Sequence, residues 1–289
     1  MTSTRALKTR IRSVKNTKQI TKAMQLVAAS KMRRAQEADK ASAPYTDTAS
    51  EVLTYLASQG VTDRHPLFER RAVKRRLVIV IASDKGLAGA YNSNVFKKYI
   101  AELRIDDTEN VETETIAIGR KAAQFASRLK DTTIVGVYED LADRPSGHEM
   151  RSILDTVVDK FTSGKIDAVD LVFTEFVSSI TQNATIRRLL PAGFTVMDVS
   201  ETVRDAEYEP TPEVVLDNVV YRLLGAQIFQ AILDAKASEH SMRMVAMKNA
   251  TDNASDLIDD LTLEMNKVRQ GAITQELAEI SGGVEAMNE

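Results

Sequence analysis

Apolar and polar positions follow a helical period at both ends of this chain and a strand-like pattern in its middle. Between Glu213 and Gln270 there is no proline and one glycine, Gly225. Apolar or small residues recur at steps of four and three: Val215, Val219, Ala226, Phe229 and Leu233, then Met244, Met247, Ala254, Ile258, Leu261, Met265 and Val268. An extra four-residue step near His240 is a stutter, which locally unwinds a left-handed supercoil. A helix of this length spans roughly 85 Å, longer than any core that a domain of this size offers. It is expected to protrude and to need a partner helix.

The other end of the chain supplies one. The first 43 residues lack glycine and proline. Leu7, Ile11, Val14, Met24, Val27, Ala28 and Met32 predict a helix, with Ser3 or Thr4 as its N-cap. Pro44 is expected to kink or stop it near Ala43. A second helical pattern, Val52, Leu53 and Leu56, continues towards Gly60. The two ends read as long terminal helices, residues 1–60 and 210–289, with helix from Pro212 to Met287 in the latter. They are expected to pair as an antiparallel coiled coil.

The middle, residues 74–200, reads as a Rossmann-like α/β domain. Leu77–Ala82 is a continuous apolar run, the pattern of a strand buried on both faces. Strands are also predicted at Thr115–Gly119, Thr133–Val137 and Asp170–Phe176, with a fifth, antiparallel one at Ala184–Leu190. Helices are predicted at Asn92–Leu103, Arg120–Leu129 and His148–Phe161. The alternation implies a mostly parallel sheet.

A strand, a glycine turn (Ser83–Gly89) and a helix raise the question of a nucleotide site, since helix N-termini bind phosphate. The turn contains neither GxxxxGK[ST] nor GxGxxG, and its Lys85 precedes the first glycine. A tight crossover needing small residues at Gly86–Leu87–Ala88–Gly89 is the favoured reading. Asp84, Lys85 and Ser93 could gather near a strand end, but no base–nucleophile pair with an orienting group is visible.

Composition removes several classes. The chain has no cysteine, which excludes disulfides, thiol switches and cysteine metal sites. His65, His148 and His240 show no ligand spacing. No apolar run is long enough to cross a bilayer. The net charge of −3 hides an asymmetry: Met1–Gln36 carries ten Lys or Arg and no acid, whereas Asp252, Asp256, Asp259, Asp260 and Glu264 crowd the other end. The basic arm reads as a mitochondrial transit peptide, a nucleic-acid arm or the charged face of a coiled-coil helix. With no aromatic residue before Tyr45, it lacks the stacking surfaces of single-strand binders.

Four segments carry a family resemblance. Gln19–Met32 (QITKAMQLVAASKM) resembles the first helix of the γ-subunit family of F-type ATP synthases. Ser83–Asn92 (SDKGLAGAYN) resembles that family's SD[RK]GLCGxxN turn, with Ala88 where many members have Cys. Ala237–Ala254 (ASEHSMRMVAMKNATDNA) is similar to its C-terminal helix. Ile273–Gly283 (ITQELAEISGG) is similar to its terminal signature, followed here by Val284 where a small residue is usual. The order and spacing match along the whole chain. The cysteine-bearing insertion of the chloroplast form is missing, so thiol-gated control is not expected.

The resemblance implies a non-catalytic, cofactor-free rotor. The paired helices would turn inside an α3β3 hexamer, with the α/β domain as a foot on the ε subunit and the c-ring. Proton flow would drive the ring, and the shaft would force the β sites through their nucleotide affinities. The basic arm then matches mature shaft helix and not a transit peptide. A bacterial protein, peripheral on the cytoplasmic face of the plasma membrane, is expected. Met24, Arg243, Gln270, Thr274 and Glu276 would lie where the shaft meets the collar of the α and β subunits, and polar residues Arg204–Glu209 would meet ε and c. A nucleotide-binding α/β enzyme and a nucleic-acid-binding coiled coil are the competing readings.

Overall fold

The computed structural model describes residues 3–130, 132–143, 145, 147–194 and 196–287, without the side chains of 42, 43, 45, 46, 147, 148 and 282–287. The side chains of His148 and of Val284, which follows the last signature, therefore lie outside what is described. Two compact units are formed, Met1–Ala28 with Met244–Glu289, and Ala29–Arg243.

The first unit contains the outer parts of the two long helices, α1 (Thr4–Ser58) and α6 (Pro212–Met287). Ser3 caps α1, its hydroxyl accepting from the backbone N–H of Ala6 at 3.2 Å. Leu7, Ile11 and Leu261 are buried together, flanked by Val14, Ile258, Met265 and Val268. Farther along α1, Thr21 meets Thr251. Rising numbers in α1 meet falling numbers in α6, so the two segments run in opposite senses. The predicted stripe Met247, Ala254, Leu261 is buried here.

In the second unit the helix does not stop at Pro44. Helix α1 continues through Pro44 to Ser58. A proline removes one i→i−4 hydrogen bond and crowds the carbonyl four residues earlier. Both Lys40 and Pro44 are exposed, so water can take the freed carbonyl. The Thr48 hydroxyl donates to Pro44 O at 2.9 Å.

The sheet has the order β3-β2-β1-β4-β5. Its strands are β1 (Arg75–Ile81), β2 (Glu112–Ile118), β3 (Thr133–Tyr138), β4 (Ala168–Phe176) and β5 (Gln182–Leu190). The first four pair in parallel, and β5 runs antiparallel to β4. The parallel part has the 3-2-1-4 order of doubly wound folds. Side chains alternate across the sheet. Val78, Val80, Ala117 and Val172 face α2 (Tyr91–Glu109) and α3 (Arg120–Ala126), packing on Tyr91, Val95, Tyr99 and Ala122. Leu77, Ile79, Ile116, Leu171 and Phe173 enter the larger core with α4 (Gly147–Thr162), Leu53 and Leu56 of α1, and the start of α6.

That larger core shifts the α6 stripe. The fully buried line is Leu216, Val220, Leu223, Leu224, Ile228, Ala231, Ile232 and Ala235, while Val215, Val219 and Phe229 sit on its border. A sheet and two helices cover a wider face than one partner helix would. At Gly225 a methyl group would stand 3.2 Å from Leu154 Cδ2, so the glycine permits close packing of α4. A short helix, α5 (Glu201–Arg204), replaces the start of the expected polar loop. The loop is also tied down: Ser200 N donates to Glu51 Oε1 at 2.7 Å, and Tyr208 stacks on Tyr55 at 5.6 Å.

Candidate functional site

The C-terminal ends of parallel strands are where doubly wound folds bind ligands. Here β1 ends at Ile81 and the turn after it begins with Ser83 and Asp84. The Asp84 carboxylate accepts the backbone N–H groups of Arg120 and Asp140, each at 3.0 Å, and pairs with Lys236 of α6 at 3.6 Å. Burial works against its charge, but these partners outweigh it and hold the pKa below the ordinary value. Gly119 allows the loops to close. Its φ is +93°, and an added Cβ would lie 2.1 Å from Ala82 O.

The turn is cross-tied as well. Asn92 Oδ1 accepts from Ser83 N at 3.1 Å, and the Ser83 hydroxyl donates to Lys85 O at 2.7 Å. Small residues are not needed throughout it. Gly86 has open space where a side chain would be, whereas Gly89 needs its φ of +57°. Leu87 adopts φ +62° and is 64% exposed. Ser93 lies exposed on α2, and Lys85 is exposed on the turn, so the three residues considered for chemistry do not converge.

Two turns of α6, Lys236–Arg243, fill the place a ligand would take. Lys236 Nζ donates to Leu141 O at 3.3 Å. The Ser238 hydroxyl donates to Thr174 O at 3.3 Å, and that of Ser241 to Ser179 O at 2.8 Å. Arg243 pairs with Glu239 at 2.7 Å and donates to Lys85 O and Gly86 O at 3.2 and 3.3 Å. Its Nη1 lies 3.2 Å from His240 Nδ1, and His240 Nε2 lies 3.3 Å from Asp143 Oδ1. With Nδ1 accepting from the guanidinium, the imidazole proton sits on Nε2. Burial, the largest influence, lowers the His240 pKa, and Asp143 and Glu239 oppose it. Asp143 is paired in turn with Lys31 of α1 at 2.9 Å. Between Asp84, Gly119, Leu141 and Lys236 there remains a cavity of about 10 Å³, the least that one water needs.

A second feature lies between α1 and α6. Asp39 and Asp234 line one groove of about 440 Å³ with Gln36, Lys40 and Ser178. Burial, and then the neighbouring charge of Asp39, push the Asp234 carboxyl up to about 7. Among the described residues, no group of three or more His, Asp or Glu could hold a metal.

The residues expected to meet partners separate into two kinds. Gln270, Thr274 and Glu276 are exposed, and Met24 is half-buried; the Thr274 hydroxyl donates to Gln270 O at 2.9 Å. Arg243 is buried, its guanidinium occupied within the chain as above. Apolar side chains lie open on both helices of the Met1–Ala28 and Met244–Glu289 unit: Ile20, Leu26 and Val27 on α1, Leu263, Leu277 and Ile280 on α6. Sequence reasoning missed Lys236, Ser238 and Ser241. The available signal was the stutter near His240, where the apolar stripe gives way to six polar residues in eight.

The ATP synthase family model matches residues 3–287. The ATP synthase gamma chain of Stenotrophomonas maltophilia (strain R551-3) is 42% identical over 288 residues, 99% of this chain and 100% of that one. The gamma chain of Xanthomonas campestris pv. campestris (strain B100) matches to the same extent. The chain belongs to the ATP synthase gamma chain family. The fold agrees at lower identity. A chain from the Euglena gracilis mitochondrial ATP synthase (OSCP/F1/c-ring) superposes with a TM-score of 0.67 at 18% identity, covering 98% of this chain and 94% of that one. One from the Tetrahymena thermophila mitochondrial ATP synthase central stalk and c-ring gives 0.62 at 23% identity, covering 80% and 99%. Gamma chains are subunits of ATP synthase and not its catalytic chains.

Proposed function

We propose that this chain is the central-stalk rotor subunit of a proton-translocating F-type ATP synthase. It couples rotation of the c-ring to the conformational cycle of the catalytic β subunits, and it makes and breaks no bonds. The observation that carries this is the full-length match to gamma chains at 42% identity. The opposed packing of Leu7 and Ile11 on Leu261 supports an antiparallel coiled-coil shaft from residues 1–60 and 210–289. The α/β domain, residues 74–200, is the foot.

In this reading the exposed apolar and basic faces of α1 and α6 sit within the α3β3 hexamer. Met24, Gln270, Thr274 and Glu276 contact its collar directly. Arg243 contributes through the turn whose Lys85 and Gly86 carbonyls it holds. The foot meets ε and the c-ring, and the subunit is peripheral to the cytoplasmic face of a bacterial plasma membrane. None of the helices among the described residues is long and apolar enough to cross a membrane.

The decisive experiment assembles the chain with the remaining subunits of a complex lacking its own gamma chain, in sealed vesicles. Restored proton pumping driven by ATP is expected. Hydrolysis without pumping, in a fully assembled complex, would reject the rotor role. Calorimetry of the isolated chain with ATP tests the enzyme reading, which the filled crevice disfavours; saturable micromolar binding would restore it. A steeply salt-dependent affinity for DNA would restore the nucleic-acid reading.

A further inference from the structure

The larger apolar core along α6 ends at Ala235, and within Lys236–Arg243 only Ala237, which is buried, and Met242, which borders the α2–α3 core, add apolar contact. Apolar packing resists separation, but it is non-directional, so by itself it fixes a helix weakly against turning about its own axis. Hydrogen bonds have angular preferences, and a set of them around a helix fixes its azimuth. The Lys236–Arg243 segment carries such a set, directed at separate elements. Lys236 reaches Asp84 at the end of β1 and Leu141 O after β3. Ser238 reaches Thr174 O on β4. Ser241 reaches Ser179 O in the β4–β5 hairpin and accepts from Gln182 Nε2 at 3.3 Å. His240 reaches Asp143, and Arg243 the turn after β1.

We propose that this collar is a torsional clutch: it locks the rotation of α6 to the α/β domain, and Lys236 is its principal positioning residue. Lys236 has the strongest claim because its ammonium, with the side chain only 13% exposed, pairs with Asp84. Asp84 already ties together the loops after β1, β2 and β3 through Arg120 N and Asp140 N. One side chain of α6 is thereby fastened to three strand ends at once. Arg243 and Glu239 face the same turn and complete the charge balance. The residues beyond Arg243 continue as the same helix.

The inference rests on the rotor reading, and the experiment separates the two. The complete synthase is reconstituted with the wild-type chain, Lys236→Met, Lys236→Arg, Ser238→Ala or Ser241→Ala. Hydrolysis by the detached soluble complex, in which the rotor turns without load, is compared with protons pumped per ATP in vesicles. For Lys236→Met we expect near-normal unloaded hydrolysis and a several-fold lower pumping ratio, largely restored by Lys236→Arg. The serine variants each delete one oxygen and should give smaller losses in the same ratio; they decide the matter if Lys236→Met does not assemble. A normal ratio in all variants overturns the clutch, and so does a loss of hydrolysis and pumping in proportion, which would mean a merely structural role. Failure of the wild-type chain to restore pumping at all counts instead against the rotor reading.

Discussion

The hydroxyl oxygens of Thr21 and Thr251 stand 2.8 Å apart between α1 and α6. Both residues are buried, and Thr251 also donates to Met247 O at 2.8 Å. The pair interrupts an otherwise apolar seam and fixes which residues oppose each other, as single polar positions do in coiled coils.

Replacing either threonine with valine should cost about 1 kcal/mol, because one hydroxyl loses its interhelical partner. Replacing both should cost less than the sum, since no polar group is then left unmatched. A double-mutant cycle by chemical denaturation reads this directly. Strict additivity would show that the two hydroxyls do not interact.

Leu261 is 4% exposed and packs on Leu7 and Ile11. Leu261→Pro removes one helical hydrogen bond and should destabilise by about 3 kcal/mol or more. Assembly of the variant with α and β, followed by size-exclusion chromatography, should show loss of the complex. Normal assembly and coupling would contradict a continuous α6.

The carboxyl of Asp234, raised to about 7 by burial and by Asp39, sets a stability slope. The folded chain holds a proton that the unfolded chain releases near pH 4, so this group's stabilisation is complete below about pH 4. It is lost as the pH rises towards 7. His240 acts oppositely, its lowered pKa costing stability as the pH falls below about 6.5. Asp234→Asn should therefore stabilise the chain at pH 8 by about 1–3 kcal/mol and flatten the slope between pH 4 and 7. Thermal melts across that range are the check; an unchanged slope would mean that Asp234 is ionised in the fold.

Met24 is half-buried on α1, near exposed Ile20 and Val27. Met24→Lys places a long cation where the shaft is proposed to slide against the collar. Protons pumped per ATP should fall, with hydrolysis largely kept. An unaltered ratio would remove Met24 from the contact set.

Much of this architecture was readable from the chain alone. Leu77–Ile81 had to be a two-sided buried strand, and the proline-free ends had to be long helices. Pro44 misled because the cost of a proline depends on whether water can reach the freed carbonyl, and a sequence does not reveal exposure. The α6 stripe was offset because a sheet, unlike one partner helix, buries a broad face; Leu216 and Val220 therefore lie deeper than Val215 and Val219. Arg243 was expected to face partner chains, but it is buried, and besides Glu239 its acceptors are the backbone carbonyls of Lys85 and Gly86. Backbone acceptors carry no residue-type signal.

The crevice at the strand ends is tied together by Asp84, which accepts from Arg120 N and Asp140 N. In a doubly wound enzyme the occupant of that crevice comes and goes, and its occupancy follows concentration. Here the occupant is α6 itself, joined to the sheet by the same polypeptide, so its effective concentration is fixed by the chain and never diluted. The joint between α6 and the strand ends is therefore intramolecular, and its occupancy does not depend on the concentration of any other molecule.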